Sequence, residues 1–352
     1  MDEAAKMKGP VRIRMARRSV SGPKMIDVAK VAGVSAITVS RVLKTPEKVS
    51  PKTREKVKRA MADVGYIRNL VAGSLASACS QVIGIVVPAI TNSLFADTVE
   101  GLINVIRPHG YQIIIGLTRY DVEEEEDIVR AFLGQRVEAM VLTGTTHSEA
   151  TRKMLSRTSA PVIEMWAMTD DPIDTVIGFS NFEAARQMTL YLIGSGYRRI
   201  AYLGGLTNNN DRTSQRLAGY EMALSEAGLT FPDSYKRSPV FDFREGGRAI
   251  RRLLEAHPEI DAVFAASDVL AVGAIQECTR QGWVVPDRVA VAGLDDSIIA
   301  LEMVPPLTTV RIPRYQIGEV IGNELLHRLC DPSREVNHII DLGFKIIPRA
   351  ST

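Results

Sequence analysis

The chain has 352 residues, of which 45% are hydrophobic and 24% charged, a length and composition suited to two or three ordinary globular domains. Its three cysteines, Cys79, Cys278 and Cys330, lie far apart without metal-ligand spacing, which excludes a disulfide framework and predicts a reducing, cytoplasmic compartment. No stretch is long and apolar enough to span a membrane, and no apolar run follows the N-terminal charges, so neither a membrane partner nor a secretory signal is expected.

The net charge of +2 conceals an uneven distribution. The first 70 residues contain 17 Lys/Arg and 6 Asp/Glu, whereas the remainder contains 26 and 35. A basic head on an acidic body is typical of a protein that binds a polyanion at one end. Residues 1–24 are basic and lack periodicity, which predicts a disordered arm that either attracts phosphates non-specifically or is only a solvated tail.

Residues 24–43, KMIDVAKVAGVSAITVSRVL, predict two short helices joined by a tight turn. Gly33 is suited to end the first helix, and Ser35 is placed to cap the second. A third helix is predicted to begin at Ser50, which completes a headpiece at 25–68. The pattern indicates a helix-turn-helix whose second helix enters the DNA major groove, with a helical hairpin packed in a core as the alternative.

Residues 69–79 connect the headpiece to the rest of the chain. Their first part, NLVAGSLAS, is a candidate hinge helix that is too short to be stable alone in water. If it folds only when two copies are held side by side, it acts as a switch. The alternative is a plain linker.

From residue 80 to 352, strands and helices alternate. Strands are predicted at 82–88, 111–117, 139–144, 161–166, 176–181, 200–205, 239–243, 262–267 and 289–295, and helices at 95–106, 123–133, 149–156, 183–195, 214–227, 245–256 and 269–281. Repeated βα units with continuous apolar strands predict parallel sheets covered on both faces. These βα units fall into two successive series, which predict an α/β core of two doubly wound parallel-sheet subdomains. The first subdomain would comprise about 80–179 with 310–338, and the second about 180–309 with 339–352.

Ligands bind beyond the carboxyl ends of strands in such sheets, so polar residues at these positions are candidates for ligand contacts. They are Thr91, Asn92, Thr143, Glu164, Asn181, residues 208–216, Asp242, Ser267, Asp268, Asp295 and Asp296. For each of them the alternative is a helix cap, which Asn92 and Asp268 fit well. Arg216 fits that alternative poorly, because an arginine at a strand-to-helix junction is suited to bidentate pairing with a hydroxylated or carboxylated ligand.

The sequence contains no nucleotide-binding glycine motif, no zinc-protease motif and no hydrolase nucleophile motif, so no enzyme, metal or cofactor is expected. The five histidines are scattered. His147 is expected at the surface, with ligand contact as the alternative. A periplasmic sugar-binding protein would have the same kind of core, but the basic head argues against it.

The chain resembles the lactose-repressor (LacI) family of bacterial transcription regulators over about residues 25–350. The motifs that carry the resemblance are IDVAKVAGVSAITVSRVL, NLVAGSLAS, RLAGY (216–220), SDVLAVGA (267–274), VPDRVAVAGLDD (285–296) and PPLTTVRIP (305–313). Within the family it is similar to repressors of gluconate use, through VIGFSNFEAARQM (176–188), TTHS (145–148) and LGF (342–344).

The resemblance implies an all-α helix-turn-helix headpiece on a periplasmic-binding-protein-like core. It implies base-edge readers at Ala36, Ile37 and Arg41, and phosphate or orienting contacts at Ser35, Thr38 and Ser40. Asn69 and Leu75 would also contact DNA, with Leu75 as a wedge in the minor groove. Because Ala36 and Ile37 offer only apolar contacts, Arg41 is expected to be the main polar reader of bases.

The resemblance also implies an effector site. Its residues would be Thr91, Phe95, Thr143, Glu164, Phe179, Arg216, Phe243, Ser267 and Asp295, with Arg216 and Asp295 as the anchors. Trp166 stands where some members have an aspartate, so that polar contact is lost or supplied by Glu164. The carboxylates of Glu164 and Asp295 count against an anionic effector.

The implied partners are double-stranded operator DNA, a small sugar or sugar-acid effector such as gluconate, and a second copy of the chain. The chain ends soon after residue 348 with no heptad repeat, so a dimer rather than a tetramer is expected. Whether the effector induces or co-represses is left open by the sequence.

Overall fold

The computed structural model describes residues 22–67, 79–90, 94–205, 208–230, 232–331 and 336–352. The chain divides into two compact units, Met1–Ala78 and Cys79–Thr352. Four predicted site residues, Asn69, Leu75, Thr91 and Asn92, lie outside the described residues, as do the basic arm up to residue 21 and the hinge segment up to residue 78. No described helix is both long enough and apolar enough to cross a lipid bilayer.

The first unit contains the three predicted helices, which are α1 (Met25–Ala32), α2 (Ala36–Lys44) and α3 (Pro51–Val64). Gly33 ends α1 with a φ of 55°, and the Ser35 hydroxyl accepts the Thr38 N–H at the start of α2. Ser50 caps α3 in the same way, through the Thr53 N–H. Each helix contributes one fully buried valine to the core of this unit, namely Val28, Val39 and Val57.

The second unit is the predicted α/β core. Its strands are β1 (Val82–Val87), β2 (Gln112–Leu117), β3 (Ala139–Thr143), β4 (Val162–Met165), β5 (Thr175–Gly178), β6 (Ile200–Leu203), β7 (Lys236–Arg237), β8 (Ala262–Ala265), β9 (Ala290–Ala292), β10 (Thr309–Arg311), β11 (Ile339–Asp341) and β12 (Lys345–Ile347). Its helices are α4 (Leu94–Ile106), α5 (Val122–Gly134), α6 (Glu149–Leu155), α7 (Asn181–Gly194), α8 (Asp211–Glu226), α9 (Phe243–Ala256), α10 (Asp268–Gln281), α11 (Ile298–Glu302) and α12 (Arg314–Cys330).

The strands form two parallel sheets. The first has the order β11-β5-β4-β3-β1-β2, the second has the order β7-β6-β8-β9, and β10 pairs with β12 in a separate antiparallel ribbon. Most of the paired strands are buried on both faces, as continuous apolar runs require. The predicted fold class is confirmed.

Two predictions about the core are wrong in detail. Residues 239–243 do not form a strand, because the Asp242 carboxylate accepts the N–H groups of Arg244 and Glu245 and thereby begins α9. The strand of this region is the short β7, a few residues earlier. Strand β11 pairs with β5 of the first sheet, so the first sheet extends past the subdomain boundary expected at about residue 338.

Candidate functional site

The second helix of the headpiece has one buried and one exposed face. Val39 and Val42 are buried in the small core. Ala36, Ile37 and Arg41 lie on the exposed face, where 65% of Ile37 is accessible to solvent. An exposed isoleucine beside an exposed arginine is suited to a thymine methyl group and a polar base edge. The structure therefore brings the three predicted base readers to one surface.

The three hydroxyl residues of this helix differ in their surroundings. The Ser35 and Thr38 hydroxyl oxygens are 2.9 Å apart, so these two groups bond to each other at the start of α2. Ser40 is half-buried on the following turn. Ser35 and Thr38 thus have a capping role in addition to any contact with DNA.

A cavity lies between the two sheets of the second unit, and its lining residues all follow the carboxyl ends of strands. They are Leu94, Phe95, Tyr120 and Trp166 from the first sheet, and Asn210, Arg212, Thr213, Arg216, Phe241 and Ser267 from the second. The cavity has a volume of about 30 Å³. Typical ligand pockets are about 300–1,000 Å³, so lining side chains must move to admit a ligand of sugar size.

Arg216 is buried in the wall of the cavity and held on two sides. Its Nε donates to Asn181 Oδ1 at 2.8 Å, and its Nη1 donates to the Ala266 carbonyl oxygen at 2.6 Å. These two bonds fix the plane of the guanidinium, and the cavity lies beside it. A planar fork held in this way is prepared for a hydroxyl pair or a carboxylate.

Asp295 lies behind Ser267 and does not line the cavity directly. Its Oδ2 accepts the Ser267 hydroxyl at 3.1 Å, whereas its buried Oδ1 has no hydrogen-bond partner in the described part of the chain. Burial raises the pKa of Asp295 to about 7, although the charge of Arg216 acts in the opposite direction. Burial therefore favours the neutral acid form of this carboxyl.

A second arginine, Arg212, lines the same cavity. Its Nη1 donates to Asp211 Oδ1 at 2.9 Å. The other oxygen of Asp211 accepts both the N–H and the hydroxyl of Thr145, at 2.7 and 2.8 Å. Burial alone would raise the pKa of Asp211, but Arg212 and the bonds from Thr145 bring it below the ordinary value.

Aromatic side chains form the apolar part of the cavity. Trp166 packs against Phe95 with ring centroids 4.9 Å apart, and its Nε1 donates to Thr98 Oγ1 at 3.1 Å. Tyr120 and Phe241 complete the aromatic lining. Such faces suit the C–H surface of a sugar, while the arginines suit its polar groups.

Of the predicted effector residues that are described, Phe95, Arg216 and Ser267 line the cavity. Four others do not. Thr143 is buried and donates its hydroxyl to the Val86 carbonyl oxygen, and Phe179 is fully buried with its ring 6.4 Å from that of Trp166. Phe243 is the exposed first residue of α9, and the neighbouring Phe241 lines the cavity in its place.

Glu164, the fourth, belongs to a buried charge cluster. His147 Nδ1 lies 2.6 Å from Glu125 Oε1, and His147 Nε2 lies 3.3 Å from Glu164 Oε1, an ionic contact without good hydrogen-bond alignment. Glu164 Oε2 also accepts the Ile173 N–H at 2.6 Å. Burial lowers the pKa of His147, but its contacts with Glu125 and Glu164 raise it more, to about 9. The expectation of a surface His147 is wrong, because its side chain is fully buried between these carboxylates.

Sequence reasoning did not single out Tyr120, Phe241 and Arg212. Arg212 lies within the range 208–216 that was expected to carry ligand contacts. Tyr120 follows the carboxyl end of β2, so the strand-end rule would have found it had aromatic residues been included. Phe241 was hidden by the incorrect strand at 239–243. Within the described residues, no group of three or more His, Cys, Asp or Glu side chains could hold a metal ion.

These features define a class of protein, in which a helix-turn-helix headpiece accompanies a core with a polar and aromatic cavity between two parallel sheets. Comparison with protein families agrees: residues 24–69 match "Bacterial regulatory proteins, lacI family", and residues 189–352 match "Periplasmic binding protein-like domain".

Several characterised proteins are similar to this chain over nearly its whole length. The HTH-type transcriptional regulator GntR of Escherichia coli K12 is 38% identical over 329 residues, covering 94% of this chain and 98% of its own. A LacI-family transcriptional regulator from Silicibacter pomeroyi has a TM-score of 0.87 at 29% identity, covering 94% and 99%. The lac repressor dimer bound to operator and the anti-inducer ONPF has a TM-score of 0.82 at 27% identity, also covering 94% and 99%.

The chain belongs to the LacI family of bacterial regulatory proteins. It is a DNA-binding transcriptional repressor of that family, and its relatives are regulators rather than enzymes. The resemblance stated from the sequence is thereby confirmed.

Proposed function

We propose that this repressor controls a carbohydrate or sugar-acid catabolic operon and that a small polyhydroxylated effector, bound in the cavity between the two sheets, releases it from its operator. The observation that carries the proposal is the cavity itself, in which Arg212 and Arg216 lie beside Phe95, Trp166 and Phe241 at the carboxyl ends of the strands. Guanidinium groups beside aromatic faces suit a polar ligand with an apolar C–H surface.

The charges of the cavity support a sugar acid of the gluconate type over a neutral sugar. Two arginines line it, whereas the two carboxylates that counted against an anion have other roles. Glu164 faces the buried His147, whose pKa of about 9 keeps it protonated at neutral pH. Burial of Asp295 raises the pKa of its carboxyl and so favours the neutral acid. A neutral sugar is the alternative.

The proposed assembly is a homodimer whose two headpieces bind a pseudo-palindromic operator. The similarity to the lac repressor dimer supports it. An apolar groove formed by β1, α4 and β2 also supports a dimer, because 62% of Ile90 and 47% of Ile115 are accessible to solvent there. Exposed apolar surfaces of this kind are typical of protein interfaces. A regulator bound to chromosomal DNA acts in the cytoplasm.

The proposed mechanism is thermodynamic linkage between the two sites. The effector favours a conformation of the core in which the two headpieces of the dimer no longer bind the operator together. A preference of about 3 kcal/mol for the unbound form would lower operator affinity by about two orders of magnitude. The boundaries expected between the subdomains, near 179 and 310, are where such a core would flex.

A thermal-shift measurement with a matched pair of ligands tests the effector class. D-Gluconate and D-sorbitol share a six-carbon hydroxylated chain and differ in the carboxylate. Because a ligand that binds the folded state raises the melting temperature, we expect D-gluconate at millimolar concentration to raise it by several degrees and D-sorbitol to raise it less. Equal shifts would favour the neutral-sugar alternative, and no shift with either would contradict this effector class.

Replacement of Arg41 by alanine tests the DNA interface. We expect the variant to lose about 1–3 kcal/mol of binding to the operator, because the main polar contact with a base is removed. Arg59→Ala is the control, since it removes the same charge from α3, where Arg59 pairs with Glu55 at 3.3 Å. Fluorescence anisotropy with operator and scrambled duplexes measures both variants. Equal losses on the two duplexes would contradict base reading by Arg41.

A further inference from the structure

The loop that follows β3 crosses the cleft and contacts the start of α8. Thr145 belongs to this loop, on the first sheet, while Asp211 and Arg212 begin α8, on the second. Asp211 accepts two hydrogen bonds from Thr145 through one oxygen and one from Arg212 through the other. We call these three residues the clasp.

The approach of the two sides is very close at this point. A Cβ atom on Gly144 would lie 2.0 Å from Arg212 Nη1 and 2.8 Å from Asp211 Oδ1. Gly144 also has a φ of 87°, which residues with a side chain rarely adopt. The loop therefore reaches α8 because its residue before Thr145 is a glycine.

The loop is held firmly on its own side of the cleft. The Gly144 N–H donates to the Met165 carbonyl oxygen at 2.8 Å. His147 lies between two buried glutamates, and the Ser148 hydroxyl caps α6. Thr145 is thus held on its own side of the cleft, and its bonds to Asp211 connect it to the other side.

Arg212 is the member of the clasp that also lines the cavity. Its side chain is 8% exposed, and that of Asp211 is 10% exposed, so the pair is shielded from solvent. Charge-assisted bonds are strongest under such conditions, which means that Asp211 determines where the guanidinium points. Arg216 lies near Arg212 across the cavity: burial raises the pKa of the Tyr120 hydroxyl, and the charges of both arginines act on it in the opposite direction. Asp211 offsets one of the two guanidinium charges, and burial raises the pKa of Asp295 and so favours its neutral form; positive charge therefore remains beside the cavity.

We propose that Asp211 is a positioning residue that orients Arg212 toward an anionic group of the effector and that Thr145 orders Asp211 only when the cleft is closed. This inference rests on the proposed function and extends it, because it assigns anion selectivity to Arg212 and links that selectivity to closure. An open cleft separates Thr145 from Asp211 and leaves the arginine without a fixed direction. Binding of the anion and closure of the cleft therefore favour each other.

Isothermal titration with D-gluconate and D-sorbitol distinguishes the roles of the three residues. Arg212→Gln is expected to weaken D-gluconate by about tenfold or more and to leave D-sorbitol nearly unchanged, because only the charged bond is lost. Thr145→Val is expected to weaken the binding of both ligands by the same factor, because it removes a hydrogen bond that forms on closure of the cleft and contacts neither ligand. Asp211→Ala is expected to weaken both, and D-gluconate more strongly. Thr146→Val, at an exposed residue of the same loop, and Glu149→Ala, at the exposed first residue of α6, are the controls.

Amide hydrogen exchange tests the clasp without any effector. The Thr145 N–H is expected to exchange faster in Asp211→Ala than in the wild-type chain, in a peptide covering residues 144–148, and at the wild-type rate in Glu149→Ala. Unchanged exchange in Asp211→Ala would overturn the clasp while leaving the proposed function intact. Equal losses for the two ligands in Arg212→Gln would overturn its selectivity. Failure of the wild-type protein to bind either ligand would overturn the proposed effector class and this inference with it.

Discussion

Replacement of His147 by alanine is expected to lower the free energy of unfolding of the core by about 3–5 kcal/mol, the range seen when one partner of a buried ion pair is removed. The imidazole lies between Glu125 and Glu164, at 2.6 and 3.3 Å. Its removal leaves two buried carboxyl groups without a positive charge, so they must either take up protons or admit water. Urea unfolding followed by tryptophan fluorescence measures the change, since both tryptophans belong to the core.

The same histidine gives the prediction a pH dependence with a defined sign. The pKa of His147 is about 9 in the folded chain, above the ordinary value of 6.5. Its contribution to stability is therefore complete below about pH 6.5 and is lost as the pH rises through 9. The difference in unfolding free energy between the wild-type chain and His147→Gln should shrink between pH 7 and pH 10.

A control variant and the pH series test this interpretation. His109→Ala, at an exposed histidine of the same core, should change stability by no more than about 0.5 kcal/mol. A difference between wild type and His147→Gln that stays constant from pH 7 to pH 10 would show that His147 is not a protonated partner of the two glutamates.

Replacement of Arg216 by lysine is expected to weaken effector binding by about 100-fold or more and to abolish effector-dependent release from the operator. Lysine retains the positive charge but cannot donate to Asn181, to the Ala266 carbonyl oxygen and to a ligand in one plane. The loss is large because the arginine is buried and its partners are left without a donor. Titration of the effector into the repressor–operator complex, followed by anisotropy, measures the release.

Arg248→Lys is the matched control, because Arg248 is an exposed arginine on α9 that pairs with Glu245. Operator affinity in the absence of effector checks that the Arg216 variant still has an intact headpiece. Release of the Arg216→Lys variant at the wild-type effector concentration would contradict the role of Arg216 as an effector anchor.

The headpiece and the order of the core elements were determined by local features of the sequence. Gly33, Ser35 and Ser50 act on backbone groups within three or four residues, so their effect is visible without the rest of the chain. The alternation of apolar strands and amphipathic helices likewise specified parallel sheets. Arg216 and Ser267 were found because strand ends converge in such sheets.

Only the tertiary structure decided which charged groups meet. Thr145 and Asp211 are 66 positions apart, and His147 finds Glu125 from 22 positions away. Whether these groups become partners depends on which strands are neighbours and on how closely two loops approach across the cleft. A helix propensity or a sequence motif predicts the backbone conformation of only a few neighbouring residues. The pKa of a buried histidine and the orientation of an arginine depend instead on charges that folding brings together. The sequence by itself therefore determined the class of protein, and the three-dimensional arrangement decided the contents of the cleft.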